Sequence, residues 1–319
     1  MVSCMNKSDK IYVAGHNGLV GSAIIRELEK QGFLNLVYAT HDELDLTQKD
    51  KVEVFFSKEC PKYVILAAAK VGGILANSNY PVEFMSENLK IQLNIIESAY
   101  KYNVKKLIFL GSSCIYPKNS PQPIKEEYLL SSNLEPTNEA YALAKICGVK
   151  LCEYYNNQYN TEFLSVMPCN LYGKNDTYDN QNSHVIPMLI DKFHNAKVNK
   201  LPFVEIWGDG TPLREFLYVD DLAKAILFLL EADFKNIGNI INIGSSEEIS
   251  IKDLALMIKS IVKYDGNIVF DKSKPNGTMR KLLDNSKLNS LGWKSTTKLF
   301  DGLNIAYNDY LVNFFRKNG

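Results

Sequence analysis

Apolar residues in this chain fall in short, nearly continuous runs rather than in alternation, at residues 11–14, 36–39, 63–68, 106–110 and 163–167, with Lys106 and Ser165 the polar members. A strand covered on both faces leaves such a run, because neither side of it meets water. Between runs the spacing changes to a helical one. Leu19, Val20, Ala23, Ile24 and Leu28 share one helix face, and Gly32 suits the position just past its end. Helices are also predicted around 83–102 and 141–158. Buried strands alternating with helices predict a parallel sheet covered on both faces, an α/β fold of the Rossmann-type doubly wound kind.

The pattern changes after Gly173. The stretch "GKNDTYDNQNSHVIP" is polar, and short runs at 204–207, 216–219, 240–243 and 268–270 then interleave with helical segments. The expected division is a nucleotide-binding domain over 1–173, with 215–243 returning to it. A smaller α/β domain takes 174–214 and 244–319. No internal repeat or low-complexity tract interrupts this plan.

Composition narrows the function classes. The chain has 319 residues, is 46% hydrophobic, and carries 36 basic against 36 acidic side chains. A zero net charge supplies no general attraction to nucleic acid or to an anionic membrane. No apolar run approaches the ~18 residues of a membrane span. Residues 1–10 are polar, without the apolar core of a secretion signal, so a cytoplasmic protein is expected. Cys4, Cys60, Cys114, Cys147, Cys152 and Cys169 form no C-x-x-C pair and no metal-ligand spacing with the histidines. They read as reduced thiols, with no metal site expected.

Three stretches carry chemistry. Gly15-His16-Asn17-Gly18-Leu19-Val20-Gly21 lies between a strand and a helix, where glycines let backbone approach a pyrophosphate at the helix N-terminus. Tyr141 and Lys145 stand at i and i+4 on one helix face, where an ammonium favours the phenolate and lowers the tyrosine pKa. Ser112, 29 positions earlier in "GSSCIYP", can hydrogen-bond the same substrate oxygen. Arg214, one of four arginines, leads into a strand and would suit a diphosphate; a surface ion pair is the plainer alternative. His184 heads a helix in "SHVIP". Asp45 and Leu46 lie where an adenine edge would come, although Asp45 reads equally as a helix N-cap. On spacing alone Cys114 is a packing residue at a strand end.

The stretches "AGHNGLVGSAI", "LAAAKVGGI", "LGSSCIYPK", "LEPTNEAYALAK", "NLYG", "NSHVIP", "WGDGTPLREFLYVDDLA" and "SKPNGTMRKLLD" occur in this order over nearly the whole chain. Together they resemble the extended short-chain dehydrogenase/reductases and, within them, the GDP-L-fucose synthase family, the 3,5-epimerase/4-reductases of GDP-4-keto-6-deoxy-mannose. The resemblance implies a reductase triad of Ser112, Tyr141 and Lys145, with Cys114 as epimerisation base and His184 as its acid partner. It implies NADP (NADPH) held by Gly15, Asn17, Gly18, Leu19, Val20, Gly21, His41, Asp45, Leu46, Ala67, Ala68, Lys145, Pro168, Asn170, Leu171 and His184. NAD stays open, since Asn17 and His41 stand where bacterial relatives often carry arginine. Lys192, Trp207 and Arg214 would hold the GDP moiety of the sugar substrate, and the helices near 83–102 and 141–158 would pack a homodimer. Cys169 stands where the family usually has threonine. Two other functions stay open: C4 reduction of another GDP-sugar, such as a heptose, without epimerisation, and a regulator that binds NAD(P) without turnover.

Overall fold

The computed structural model describes residues 5–178, 183–274 and 276–318. Residues 1–4 (Cys4 among them), 179–182 of the polar loop, Pro275 and Gly319 lie outside the description. In chain order the first half runs β1 (Ile11–Ala14), α1 (Leu19–Lys30), β2 (Leu36–Val37), α2 (Lys49–Glu59), β3 (Tyr63–Leu66), α3 (Ile74–Asn79), α4 (Pro81–Lys101), β4 (Lys106–Leu110), α5 (Glu139–Tyr159) and β5 (Phe163–Pro168). β6 (Asn170–Tyr172), α6 (Val185–Val198), β7 (Phe203–Trp207), β8 (Leu213–Tyr218), α7 (Val219–Glu231) and α8 (Phe234–Ile237) follow. The chain closes with β9 (Ile240–Ile243), β10 (Glu248–Ser250), α9 (Ile251–Val262), β11 (Asn267–Asp271), β12 (Arg280–Lys281), α10 (Ser286–Ser290) and α11 (Leu299–Asn318).

The apolar runs do form a parallel sheet, in the order β2-β1-β3-β4-β5-β9. Every residue of β1, β3, β4 and β5 is buried. Each fully buried branched aliphatic in these strands contributes about 1.5–3 kcal/mol relative to its exposed state. β2 is shorter than its apolar run because it is the edge: Leu36 and Val37 are half-buried and Tyr38 is exposed. The order reverses at β1, whose neighbours β2 and β3 lie on opposite sides. That switch point opens a crevice at the carboxyl ends of the strands, the place such sheets use for ligands.

A second sheet joins β10, β8 and β12, with β6 alongside β8; β7 and β11 form a separate parallel pair. A second core, including Tyr172, Leu189, Phe193, Phe216, Leu254 and Leu303, lies around these strands. The strand expected at 216–219 starts earlier and stops sooner. Val219 begins α7, where Asp220 and Asp221 in the first turn complement the helix's positive end. Residues 215–218 pair within the small sheet, with Phe216 and Tyr218 in the second core and Leu217 facing the first, which α7 then joins from Val219.

Candidate active site

The glycine turn after β1 sits at the crevice. Gly15 has φ +86, and a Cβ there would lie 2.7 Å from the Ala68 nitrogen. A Cβ on Gly21 would come within 2.1 Å of the Gly15 carbonyl oxygen. Small residues thus bring three backbone segments together: the turn, the start of α1, and Ala67-Ala68 beyond β3, where the Ala67 N–H bonds the Ala14 carbonyl at 3.0 Å. This bare cradle fits a dinucleotide pyrophosphate against the N-terminus of α1. At its flank the His16 ring stacks on Tyr38, with centroids 4.5 Å apart. Asn17 is exposed, and its carbonyl accepts from Asn175 Nδ2 at 3.4 Å. Asp45 is not the N-cap of α2; Gln48 holds that position. Its carboxylate closes a local turn instead, accepting from the Thr47 N–H at 2.9 Å and the Thr47 hydroxyl at 2.7 Å. Leu46 is fixed by the Asn94 amide, which donates to its carbonyl.

The end of β4 gathers the other candidates. Ser112 caps a short 3-10 turn, its hydroxyl accepting from the Cys114 N–H at 3.3 Å. Cys114 is 8% exposed. Lys145, on α5, is buried and donates to the Leu110 carbonyl at 2.6 Å. Its ammonium lies 4.9 Å from the Phe109 ring centroid and 5.8 Å from that of Tyr141.

Burial is the largest influence on the titrating groups of the site. Burial pushes the Tyr141 hydroxyl pKa up, and the neighbouring Cys114, when charged, adds to the rise. Burial pulls Lys145 down to about 8, partly opposed by Cys114. Lys145 thus sits beside Tyr141 on α5 with its ammonium anchored on the Leu110 carbonyl. Burial also raises the Cys114 thiol, against the pull of Lys281, Ser112 and Lys145. His184 occupies the N-cap of α6 and is exposed, yet enough protein surrounds it for desolvation to lower its imidazole pKa, with no charged group opposing. Burial thus opposes the charged form of both Cys114 and His184.

Pro168 ends β5, and Asn170 and Leu171 begin β6 one residue later. The Asn170 amide is aimed by the Glu215 carbonyl, at 2.9 Å. Cys169, between them, is 6% exposed, and burial raises its thiol pKa, with Glu215 adding to the rise. In the second core's elements, Lys192 on α6 donates to the Glu205 carbonyl of β7, two residues before the half-exposed Trp207. Arg214 donates to the Leu213 carbonyl, and β12 sets Lys281 directly beside it.

Lys281 was missed by motif reasoning although it lies inside "SKPNGTMRKLLD". Its ammonium pKa is lowered by burial first; Cys114, Cys169 and Glu135 pull it up, while Arg214 pushes it further down. It links the arginine side of the site to the thiol.

The sequence profile of the NAD dependent epimerase/dehydratase family matches residues 11–244. The chain belongs to this family. A protein of Arabidopsis thaliana named GDP-L-fucose synthase 1 is 57% identical over 311 residues, 98% of this chain and 96% of its own. The GDP-L-fucose synthase of Escherichia coli (strain K12) is 49% identical over 317 residues, covering 97% and 99%. A solved GDP-mannoheptose C4 reductase from Campylobacter jejuni with NADP bound is 41% identical. Its TM-score is 0.89, with 96% of this chain and 99% of that one covered. Within this epimerase/dehydratase chain, the matched segment contains the glycine cradle, Ser112, Cys114, Tyr141, Lys145, His184, Trp207 and Arg214; Lys281 lies beyond it.

Proposed function

We propose that the protein carries out NADPH-dependent 3,5-epimerisation and 4-reduction of a GDP-4-keto-6-deoxy-D-mannose-type sugar, giving GDP-L-fucose. The observation that carries this reading is the gathering of Ser112, Cys114, Tyr141 and Lys145 where β4 opens into the crevice, in a chain about half identical to two GDP-L-fucose synthases. Gly15, Gly18 and Gly21 would hold the cofactor's pyrophosphate, with Ala67, Ala68, Pro168, Asn170 and Leu171 flanking it. Bound NADPH supplies a hydride to a carbonyl carbon. Lys192, Trp207, Arg214 and Lys281 would take the nucleotide diphosphate.

A C4 ketone acidifies the protons on C3 and C5 because charge can spread onto the oxygen. A base on one sugar face and an acid on the other then invert each centre. Transfer of the Cys114 proton to the His184 imidazole would give the working thiolate and its imidazolium partner together, with Lys281 and Lys145 lowering the cost of the thiolate. Cys114 would then take the proton from C3 or C5 while His184 gives one to the opposite face. The hydroxyls of Tyr141 and Ser112 would hold the developing oxyanion. Because burial keeps Tyr141 protonated, it can give its proton to that oxygen as C4 is reduced.

The test is incubation with GDP-4-keto-6-deoxy-mannose and NADPH in deuterated water. Deuterium at C3 and C5 of a reduced product is expected, with Cys114→Ser losing label before it loses NADPH oxidation. Oxidation without label would leave the second reading, simple C4 reduction, which the likeness to the C. jejuni C4 reductase keeps in view.

The proposed division into a cofactor domain (1–173, with 215–243) and a substrate domain (174–214 and 244–319) follows the two cores except that Tyr172, Phe216 and Tyr218 lie in the second core and Leu283 and Leu288 in the first. A homodimer fits the exposed Leu93, Tyr100, Leu143, Tyr154 and Tyr159 on α4 and α5. Sedimentation of Leu143→Glu would return a monomer. Five free cysteines among the described residues fit a reducing compartment such as the cytoplasm.

A further inference from the structure

Near Tyr141, two buried side-chain oxygens have no donor among the described residues. One is Oδ1 of Asn77, on α3, a residue only 8% exposed. Its amide nitrogen donates to the Gly72 carbonyl at 2.8 Å and to the Gly73 carbonyl at 3.0 Å, which fixes the way the oxygen faces. The other is Oδ1 of Asn138, the N-cap of α5. An asparagine at that position ordinarily turns its oxygen back onto the first N–H groups of the helix. Asn138 makes no such bond.

The two amides flank one seam. α3 packs against the 3-10 turn Pro136–Asn138, and the Ser78 hydroxyl donates to the Thr137 carbonyl at 3.5 Å. Asn77 precedes one end of that bond and Asn138 follows the other. Tyr141 stands one helical turn beyond Asn138 on α5. From the other side Phe84 sets its ring edge-on to Tyr141, with centroids 6.3 Å apart. Phe84 and Ala76, the residue before Asn77, line a cavity of about 280 Å³ together with Lys70, Val71, Tyr80 and Glu83. The ammonium in that lining is taken, since Lys70 pairs with Glu87 at 2.6 Å. A buried acceptor without a donor costs the fold, and a ligand that brings the donor removes the cost.

We propose that Asn77 and Asn138 accept hydrogen bonds from the ring hydroxyls of the hexose, and so fix which edge of the sugar faces α3. The inference rests on the sugar-nucleotide reading given above. With the C4 ketone on Tyr141 and Ser112, the two edges of the ring differ in kind. C3 and C2 carry hydroxyl groups. C5 carries a methyl group and the ring oxygen, neither of which can donate. Only the hydroxyl edge supplies what the two amide oxygens lack, so the methyl edge is turned away from the seam.

Isothermal titration of the intact protein with GDP and with GDP-mannose, which has no ketone to reduce, separates the hexose from the nucleotide. Asn138→Ala should leave the GDP dissociation constant unchanged and weaken GDP-mannose about 2–10-fold, the worth of one hydrogen bond. Asn138→Asp, which keeps an acceptor, should retain the wild-type ratio of the two constants. Because the oxygen holds nothing in the fold, Asn138→Ala should also melt no lower than wild type. Asn77→Ala should weaken GDP-mannose in the same selective way. That variant also frees two glycine carbonyls, so Asn138→Ala decides the matter where Asn77→Ala does not fold. Equal weakening of both nucleotides, no change in either, or a lower melting temperature for Asn138→Ala overturns the inference while leaving the sugar-nucleotide reading intact. Wild-type protein that fails to bind GDP would overturn both.

Discussion

Replacing Glu215 with alanine should destabilise the protein far more than its distance from the glycine turn suggests. Glu215 has no exposed surface. One carboxylate oxygen accepts from the Ser246 N–H at 2.7 Å and from Asn285 Nδ2 at 3.3 Å; the other accepts from the Leu283 N–H at 3.0 Å. Truncation leaves two backbone donors without an acceptor, at about 1–3 kcal/mol each, or roughly 2–6 kcal/mol together. Burial holds the carboxyl pKa above its ordinary value. Removing a poorly solvated acid therefore returns part of that loss, favouring the lower half of the range. Even so, the loss is a large share of a typical total of about 5–15 kcal/mol. Denaturant unfolding measures it, and hydrogen exchange at Leu283 and Ser246 locates it. Glu215→Gln, which keeps one acceptor oxygen and the volume, should cost less. An alanine variant within about 0.5 kcal/mol of wild type, or a glutamine variant that is worse, would refute the accounting.

Lys145→Met removes the ammonium bonded to the Leu110 carbonyl, which also eases the Cys114 thiolate, and should slow both NADPH oxidation and labelling at C3 and C5 about 100-fold; unchanged rates of both would refute its role. Gly21→Ala drives a Cβ into the Gly15 carbonyl and within 2.7 Å of the His16 Cα. Calorimetry should show NADPH affinity lost, with about 1–3 kcal/mol of stability. Gly18→Ala, whose nearest neighbour would be 3.6 Å away, should be mild. Asp176 has a buried oxygen without a partner, and burial raises its pKa to about 7. Its folded proton affinity exceeds the unfolded one, so its contribution is complete below about pH 4 and is lost as pH rises toward 7. Melting curves should therefore show Asp176→Asn gaining on wild type between pH 5 and 8; a gap moving the other way would sink this.

The central sheet was legible because burial on both faces writes a strand as a continuous apolar run, as in Tyr63–Leu66. The strands β6, β10 and β12 have three, three and two residues, too few for any period to appear. α2 was hidden because it buries only Val52 and Phe56. At the site, the candidate residues stand out in the motifs, but the burial around them does not. Tyr141 and Lys145 both stand on α5 as their spacing requires, but the desolvation each meets is set by the whole surrounding fold. Lys281 was overlooked for a related reason: a lysine in a polar stretch reads as surface, and only the pairing of β12 with β8 carries it inward.

The chain passes from the large sheet to the small one through a single residue. Pro168 pairs with Ile243, Asn170 pairs with Phe216, and Cys169 between them bonds its N–H to the Ile243 carbonyl at 3.0 Å. The return is as abrupt, from Tyr218 in a strand to Val219 in a helix. A clamshell needs residues free to swivel, and at these crossings both flanking residues are fixed in strands or helix. The two cores are thus welded there rather than jointed. In the proposed function, the spacing between the Cys114 end of the site and the Arg214 end is held by strands at these two crossings rather than by a free linker.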